Sequence, residues 1–386
     1  MSKDMKWIKN FFLIIFVTIV SFEILSFTAT KFDLFLVNET PTVYKSRTIG
    51  DFQDIAYGRT EKDKWGAWHA NNLTIRHSKS CFDITMTFNE VGARDNSFAN
   101  LPSTSLILLG DSFAEGYGVT KNKTSEQLIE KSLGVPVLNF GASGNFGPLQ
   151  ELLIYEDFKH LPHQGLIVYI LPDNDFTDND LEVWTNINQI RYRPYFSESG
   201  DPLIPYYFPT AVPRDNFLDT SYGSIKQIIK EYFWSANALR TILKLIRGNA
   251  KIFINKKNNY PIGSYFYDAS DKQQSNLILA YEAILRAADN KNVLFVIIPR
   301  INDISRWKDE SDKDGYQESY WYKSFVNFQN RTEQRVELLN LIEYLPSQTK
   351  ELFFECDGHW SPKGNRWAAD IISHFIKDKN LFKIER

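Results

Sequence analysis

Apolar residues along this chain fall into three kinds of run. The first is one long block, "FFLIIFVTIVSFEILSFTAT" (11–30), whose only charge is Glu23. At a helical rise of about 1.5 Å per residue, a block of that length spans the roughly 30 Å of a bilayer's hydrocarbon. The second kind is short and solid: "SLILLG" (105–110), "VPVLNF" (135–140), "GLIVYIL" (165–171) and "NVLFVIIP" (292–299). Runs of four to eight apolar residues bounded by Gly, Pro and Asn predict strands buried on both faces. The third kind has helical spacing and lies between those strands.

Punctuation residues delimit the helices. "TSEQLIEKSLG" (124–134) opens with a Thr124–Gln127 capping box and stops at Gly134. "GPLQELLIYEDFKHLP" (147–162) is opened by Pro148 and closed by Pro162, and another helix is predicted over about 270–289. The last helix begins at Ser361-Pro362, an N-cap followed by proline, and carries Trp367, Ala368, Ile371, Ile372, Phe375 and Ile376 on one face. One strictly alternating run, "FDITMTF" (82–88), predicts a half-buried strand with Phe82, Ile84, Met86 and Phe88 inward. The α/β alternation breaks over 176–268, read as a large insertion that includes the helical run "SIKQIIKEYFWSANALRTILKLI" (224–246). "RWKDESDKDGYQESYWYKSF" (306–325) reads as a surface excursion. The predicted organisation is a tip and anchor (1–30), an extension packing on the main domain (31–104), and an α/β domain (105–386) with a mostly parallel sheet.

Charge settles the orientation of the anchor. Lys3, Lys6 and Lys9 precede the apolar block, while Lys31 and Asp33 follow it. The positive-inside rule leaves the N-terminus cytoplasmic and everything beyond residue 31 periplasmic or extracellular. A cleaved signal peptide is the competing reading. The run is long for a signal peptide and no small-x-small site follows, which favours an uncleaved single-pass anchor. Glu23 is costly in lipid and is expected against a partner helix or near the interface. A net charge of −3 and the lack of a basic block argue against a nucleic-acid partner. The chain has two cysteines, Cys81 and Cys356, with no metal-binding spacing; they form one disulfide or remain two buried thiols.

In a doubly wound sheet, functional groups gather at the carboxyl ends of the strands. Four loops there carry chemistry. The first strand ends in Gly110-Asp111-Ser112, and the second in "NFGASGN" with Gly141. The third ends in "LPDNDF" with Asn174, and "CDGHWSPKGN" places Asp357 and His359 just before the last helix. A serine hydroxyl needs a base to take its proton, a histidine needs an acceptor to fix its tautomer, and a tetrahedral intermediate needs oxyanion donors. Ser112, His359 and Asp357 fill the first three roles. The N–H groups of Ser112 and Gly141 and the Asn174 amide fill the last.

These four blocks, in this order and about one strand-helix unit apart for the first three, resemble the SGNH (GDSL-type) hydrolases, in particular membrane-anchored, envelope-associated ones. The resemblance covers about 104–378. It implies a flavodoxin-like three-layer α/β/α fold, with Ser112 as nucleophile, Gly141 and Asn174 as oxyanion donors, and Asp357 with His359 completing a triad. Two departures stand out: Pro172 replaces the glycine usual two residues before Asn174, and Asp357-Gly358-His359 is one residue shorter than the usual Asp-x-x-His. Ala114 rules out a Gly-x-Ser-x-Gly elbow.

The implied activity is hydrolysis of acetyl or short acyl esters, on envelope glycans, without metal or organic cofactor. An alternative is polysaccharide O-acetyl transfer through the same triad, with a multi-spanning acyltransferase as partner; a third is a non-catalytic glycan-binding or assembly protein. Other polar residues read as structural. Asp175, Asp178 and Asp180 form a solvated turn, Asn145 is a loop residue, and His374 is structural. His69, His77, His160 and His163 lack metal spacing. Arg94 packs, or else meets a substrate carboxylate.

Overall fold

The computed structural model describes residues 3–31, 65, 68–69, 71–79, 81–144, 146–186, 193–196, 206–207, 233–236, 238–239, 243, 264–308, 315–330 and 335–384. They divide between two compact units. One gathers Met1–Arg47, Arg76–Ile84 and Asp215–Pro261, the other Thr48–Ile75, Thr85–Arg214 and Ile262–Arg386.

In the first unit the long apolar block is one helix, α1 (Lys3–Lys31), containing a 20-residue stretch, Lys9–Thr28, long and apolar enough to cross a membrane. Its side chains find no protein core: Phe12, Ile14 and Phe16 are each more than 60% exposed (64%, 65% and 64%). Ser26, at 5% exposed, is one exception, and Glu23 is another. Its carboxylate accepts the backbone N–H of Trp234 and, at 3.0 Å, that of Ser235. These are the first N–H groups of the helical residues 234–236, where a negative charge is favourable. Phe27 meets the Trp234 ring edge-on at 5.2 Å. Most of the predicted helical run 224–246 lies outside the described residues.

The alternating run is a strand, Phe82–Thr87, with its odd and even positions divided between exposed and buried as expected, and it pairs with Thr74–Lys79 in a two-stranded ribbon. Cys81 and Cys356 are both disulfide-bonded.

The second unit is built on five strands: β1 (Leu106–Leu109), β2 (Val137–Asn139), β3 (Gly165–Ile170), β4 (Asn292–Ile297) and β5 (Val336–Asn340). All pair in parallel, in the order β2-β1-β3-β4-β5. The solid apolar runs follow from burial on both faces. Along β1, Ile107 and Leu109 enter one core and Leu106 and Leu108 the other; β3 and β4 alternate in the same way. Among its helices are α2 (Ser112–Glu115), α3 (Ser125–Leu133), α4 (Pro148–Phe158), α5 (Asp271–Ala288), α6 (Tyr320–Phe328) and α7 (Pro362–Lys379). Apolar residues of α4, α5 and α6 fill the first core and those of α3 and α7 the second, so the unit has three layers, α/β/α. Trp65, Trp68, Ala93 and Phe98, from the expected extension, join the first core.

Punctuation works largely as read. Ser361 caps α7 by accepting from Lys363 and Gly364, and Gly134 ends α3. Thr124 accepts from the Gln127 N–H, but the Gln127 side chain turns to Glu126, so only half of the capping box forms. Two readings need correction. Residues 306–325 are not wholly a surface excursion: Tyr316 is buried against Phe266, Trp321 donates its backbone N–H to Gln274 of α5, and Phe325 packs on Tyr281 of α5 and Phe295 of β4. β5 escapes the apolar pattern because its middle residues, Glu337 and Leu338, are only half-buried at the sheet edge. β2 and β3 flank β1 on opposite sides, with the connecting helices α3 and α4 on opposite faces, and the crevice above such a switch point is where a doubly wound sheet binds ligands.

Candidate active site

The turn after β1 sets Ser112. Asp111 is the N-cap of α2, its Oδ1 accepting from the Phe113 N–H at 2.9 Å. Ser112 is the first helical residue, so its own N–H has no intrahelical partner, and among the described residues no hydrogen bond to it occurs. Asp111 is therefore a cap rather than a reacting group. Burial pushes its carboxyl pKa upward.

Ser112 Oγ lies 2.7 Å from His359 Nε2. Behind it, His359 Nδ1 contacts Asp357 Oδ1, whose side chain is only 5% exposed, and the His359 backbone N–H donates to the same oxygen at 3.3 Å. The carboxylate on Nδ1 selects the tautomer with Nδ1–H donating and Nε2 free to accept from the serine hydroxyl. Gly358, at φ +88°, turns the chain so sharply that a carboxylate only two residues away reaches the ring. An Asp-x-His spacing thus suffices to bring the carboxylate to Nδ1. Tyr117 stacks on the imidazole at 4.3 Å with planes 27° apart, and Phe113 packs at 5.1 Å. Neither aromatic stands out in the sequence, because the chain is rich in them.

The expected oxyanion donors are placed differently. The Asn174 amide is beside the serine turn. Its Nδ2 donates to Asp178 Oδ2 at 2.7 Å and reaches Asp111 Oδ2 at 3.3 Å, and Asp111 Oδ2 is itself 3.5 Å from Ser112 Oγ. Gly141 requires correction as a donor, because its N–H is already given to Asn139 Oδ1 at 2.9 Å. Its lack of a side chain has another reason: a Cβ there would come within 2.3 Å of Glu115 N and 2.6 Å of Ala114 C. The second loop crosses the backbone of α2 at that point. Gly144, three residues on at φ +97°, is on the loop's open side, where a Cβ would meet nothing within 4 Å.

A clip holds these two loops together. Glu115 Oε2 accepts from the N–H (3.1 Å) and hydroxyl of Ser143, while Oε1 lies 3.0 Å from His69 Nε2. Arg94 is 1% exposed and donates to the carbonyls of Glu115 (2.9 Å), Gly116 and Val119, so it buttresses the chain after the nucleophile and does not face substrate. Burial lowers its pKa to about 10, which leaves it a cation.

The aspartates after Asn174 do not form a solvated turn. Asp175, Asp178 and Asp180 are 2%, 0% and 8% exposed. Asp175 Oδ2 accepts from the Leu171 N–H (2.7 Å) and the Tyr281 hydroxyl (3.1 Å). Burial, then the neighbouring carboxylates, push Asp175 and the equally buried Glu151 well above the ordinary carboxylate range. Asp173 pairs with Arg300 at the end of β4. Asn145 lies outside the described residues; His374 is exposed on α7.

No family model matches the chain, and no curated protein does. Solved structures are similar in fold. A putative lipolytic protein of the G-D-S-L family from Desulfitobacterium hafniense aligns over 70% of this chain and 98% of its own, with 10% identity and a TM-score of 0.33. The lipase/acylhydrolase from Enterococcus faecalis aligns over 73% and 98%, at 12% identity and 0.36. An acetyl xylan esterase from Butyrivibrio proteoclasticus aligns over 77% and 66%, at 10% identity and 0.34. Likeness of this size assigns no residue a role; the site's own geometry has to do so.

Proposed function

We propose that the chain is a serine esterase of the SGNH type, held to a membrane by α1 with its α/β unit outside the cytoplasm, and acting on acetyl or short acyl esters of envelope glycans. The observation that carries the reading is the 2.7 Å contact of Ser112 Oγ with His359 Nε2, with Asp357 on the far side of the ring. As Ser112 Oγ attacks the ester carbonyl, its proton passes to Nε2 and the carbonyl π electrons move onto oxygen. The Ser112 N–H and the Asn174 amide donate to that oxyanion, and Asp357 stabilises the imidazolium. Collapse breaks the carbon–oxygen bond to the alcohol, which leaves with the proton from Nε2. A water molecule, deprotonated by the same nitrogen, then attacks the acyl-enzyme and releases the acid.

The test uses the full-length chain in detergent, wild type and Ser112→Ala, with an aryl acetate in water and again with oligosaccharide acceptors. Ser112-dependent release of acetate is the expected result. Acetylated oligosaccharide forming at the expense of acetate would identify a transferase instead. No Ser112-dependent turnover in either format would leave glycan binding without catalysis.

A further inference from the structure

The Asn174 amide has two hydrogens and two carboxylates to give them to. The contact to Asp178 Oδ2 is short, 2.7 Å, and that to Asp111 Oδ2 is long, 3.3 Å. One hydrogen is thus firmly held, while the other is weakly held on the side of Asp111, the residue next to Ser112. Asp178 reaches Asn174 from one helical turn further along the chain, and its backbone N–H donates to the Asn174 carbonyl at 2.7 Å, so the two residues move as one piece.

A fully buried carboxylate beside an oxyanion donor poses an electrostatic problem. An oxyanion developing near it would be repelled, and around a carboxylate this buried the repulsion is screened less than in bulk water. Arg193 supplies the counter-charge. Its guanidinium is 3.8 Å from Asp178 Oδ1 and donates to the Asp178 carbonyl at 3.0 Å, with both side chains at most 3% exposed. It is held over the Trp184 ring at 4.4 Å, and the Trp184 indole N–H donates to Thr177 O at 3.0 Å. Asn179 fixes the chain next to Arg193 by donating to Pro194 O at 2.8 Å. Arg193 and Trp184 both fall in the segment read from sequence as an insertion, so that segment reaches the reaction centre.

We propose that Asp178 and Arg193 form a positioning device for the Asn174 amide: Asp178 holds one amide hydrogen so that the other points to the oxyanion, and Arg193 cancels the charge that Asp178 would bring there. This rests on the esterase reading above. It predicts an effect on the transition state rather than on substrate binding.

The experiment compares wild type, Asp178→Ala, Asp178→Asn, Arg193→Met and the double variant Asp178→Asn/Arg193→Met, each as full-length chain in detergent with an aryl acetate. Thermal unfolding is recorded for each, and only the folded fraction is counted. Asp178→Ala should lower kcat about 10- to 100-fold with KM within about two-fold of wild type, the scale of a misplaced reacting group. Asp178→Asn keeps an acceptor for the amide and should recover most of that loss. Arg193→Met removes the positive partner and keeps the Asp178 carboxylate, and should be slower than the double variant, in which neither member of the pair is charged. Affinity for a boronic acid that forms a tetrahedral adduct on Ser112 should fall in parallel with kcat. Equal kcat across the folded variants would overturn the inference, as would losses that appear in KM alone, or a double variant slower than Arg193→Met. Absence of Ser112-dependent turnover in wild type would instead overturn the esterase reading, and the inference with it.

Discussion

Ser112, His359 and Asp357 are ordinary residue types, and the proposed reactivity rests on what touches them. The serine is at the start of a short helix, the imidazole is pinned between a carboxylate and an aromatic face, and the carboxylate is out of water. Ser112→Ala should remove at least about 10³-fold of the turnover without changing the unfolding temperature by more than a degree or two, since it deletes one oxygen from the crevice. Tyr117 tests the ring environment. Its ring stacks on the imidazole with planes 27° apart, where it steadies the ring and would attract the imidazolium of the proposed reaction. Tyr117→Leu should lower kcat about 2- to 30-fold, the range of a cation–π contact of about 0.5–2 kcal/mol. Tyr117→Phe, which keeps the face, should retain most of the wild-type kcat; steady-state kinetics on both variants checks this.

At the scale of elements, the site is four loops that must keep their spacing. The Glu115 clip and the close pass of Gly141 over α2 set how the second loop meets the serine turn. Gly141→Ala would drive a methyl into the backbone of Ala114 and Glu115, and backbone cannot swing aside as a flexible side chain can. It should cost roughly 1–3 kcal/mol of stability and at least about tenfold in kcat. Unfolding curves and kinetics on the same preparation separate the two effects. A wild-type kcat in folded Gly141→Ala would show that the crossing does not hold the reaction geometry. Glu115→Gln, which keeps an acceptor for Ser143 but not the charge facing His69, should be milder in both measurements.

At the scale of the α/β unit, buried acids link stability to pH. Burial is the main cause that raises Asp95 to about 7, and Glu130 adds to it, against hydrogen bonds from Asn139 and Asn96 and the charge of Lys121. Asp303 is raised to about 6, again chiefly by burial. Both exceed their unfolded values near 4. Between those limits the folded chain holds more protons than the unfolded one, so stability falls as pH rises. Unfolding temperature should therefore decline from about pH 4 to about pH 7 through these two groups, and Asp95→Asn should flatten that decline. A decline just as steep in Asp95→Asn would assign it to other acids. A membrane anchor makes a separate prediction for the whole chain: deleting Lys9–Thr28 should move the protein from the membrane fraction to the soluble one.

The sequence by itself determined the elements and their chemistry. Solid apolar runs dictate strands with both faces covered, because parallel strands have no face left for water, and residues such as Ser361, Pro362 and Gly134 mark helix ends by local backbone geometry alone. The serine, histidine and aspartate are legible for the same reason, since each follows an element end that local signals define. Tertiary structure decided what depends on distance through space. Gly141 reads as an oxyanion donor until the crossing with α2 shows its N–H spent on Asn139. Asp175 and Asp178 read as a wet turn until packing closes over them, and β5 has too little apolar contrast to register before it pairs with β4. Whether a carboxylate is solvated, balanced by Arg193 or aimed at an amide is a matter of which chain segments meet, and local pattern carries no information about segments far apart in sequence.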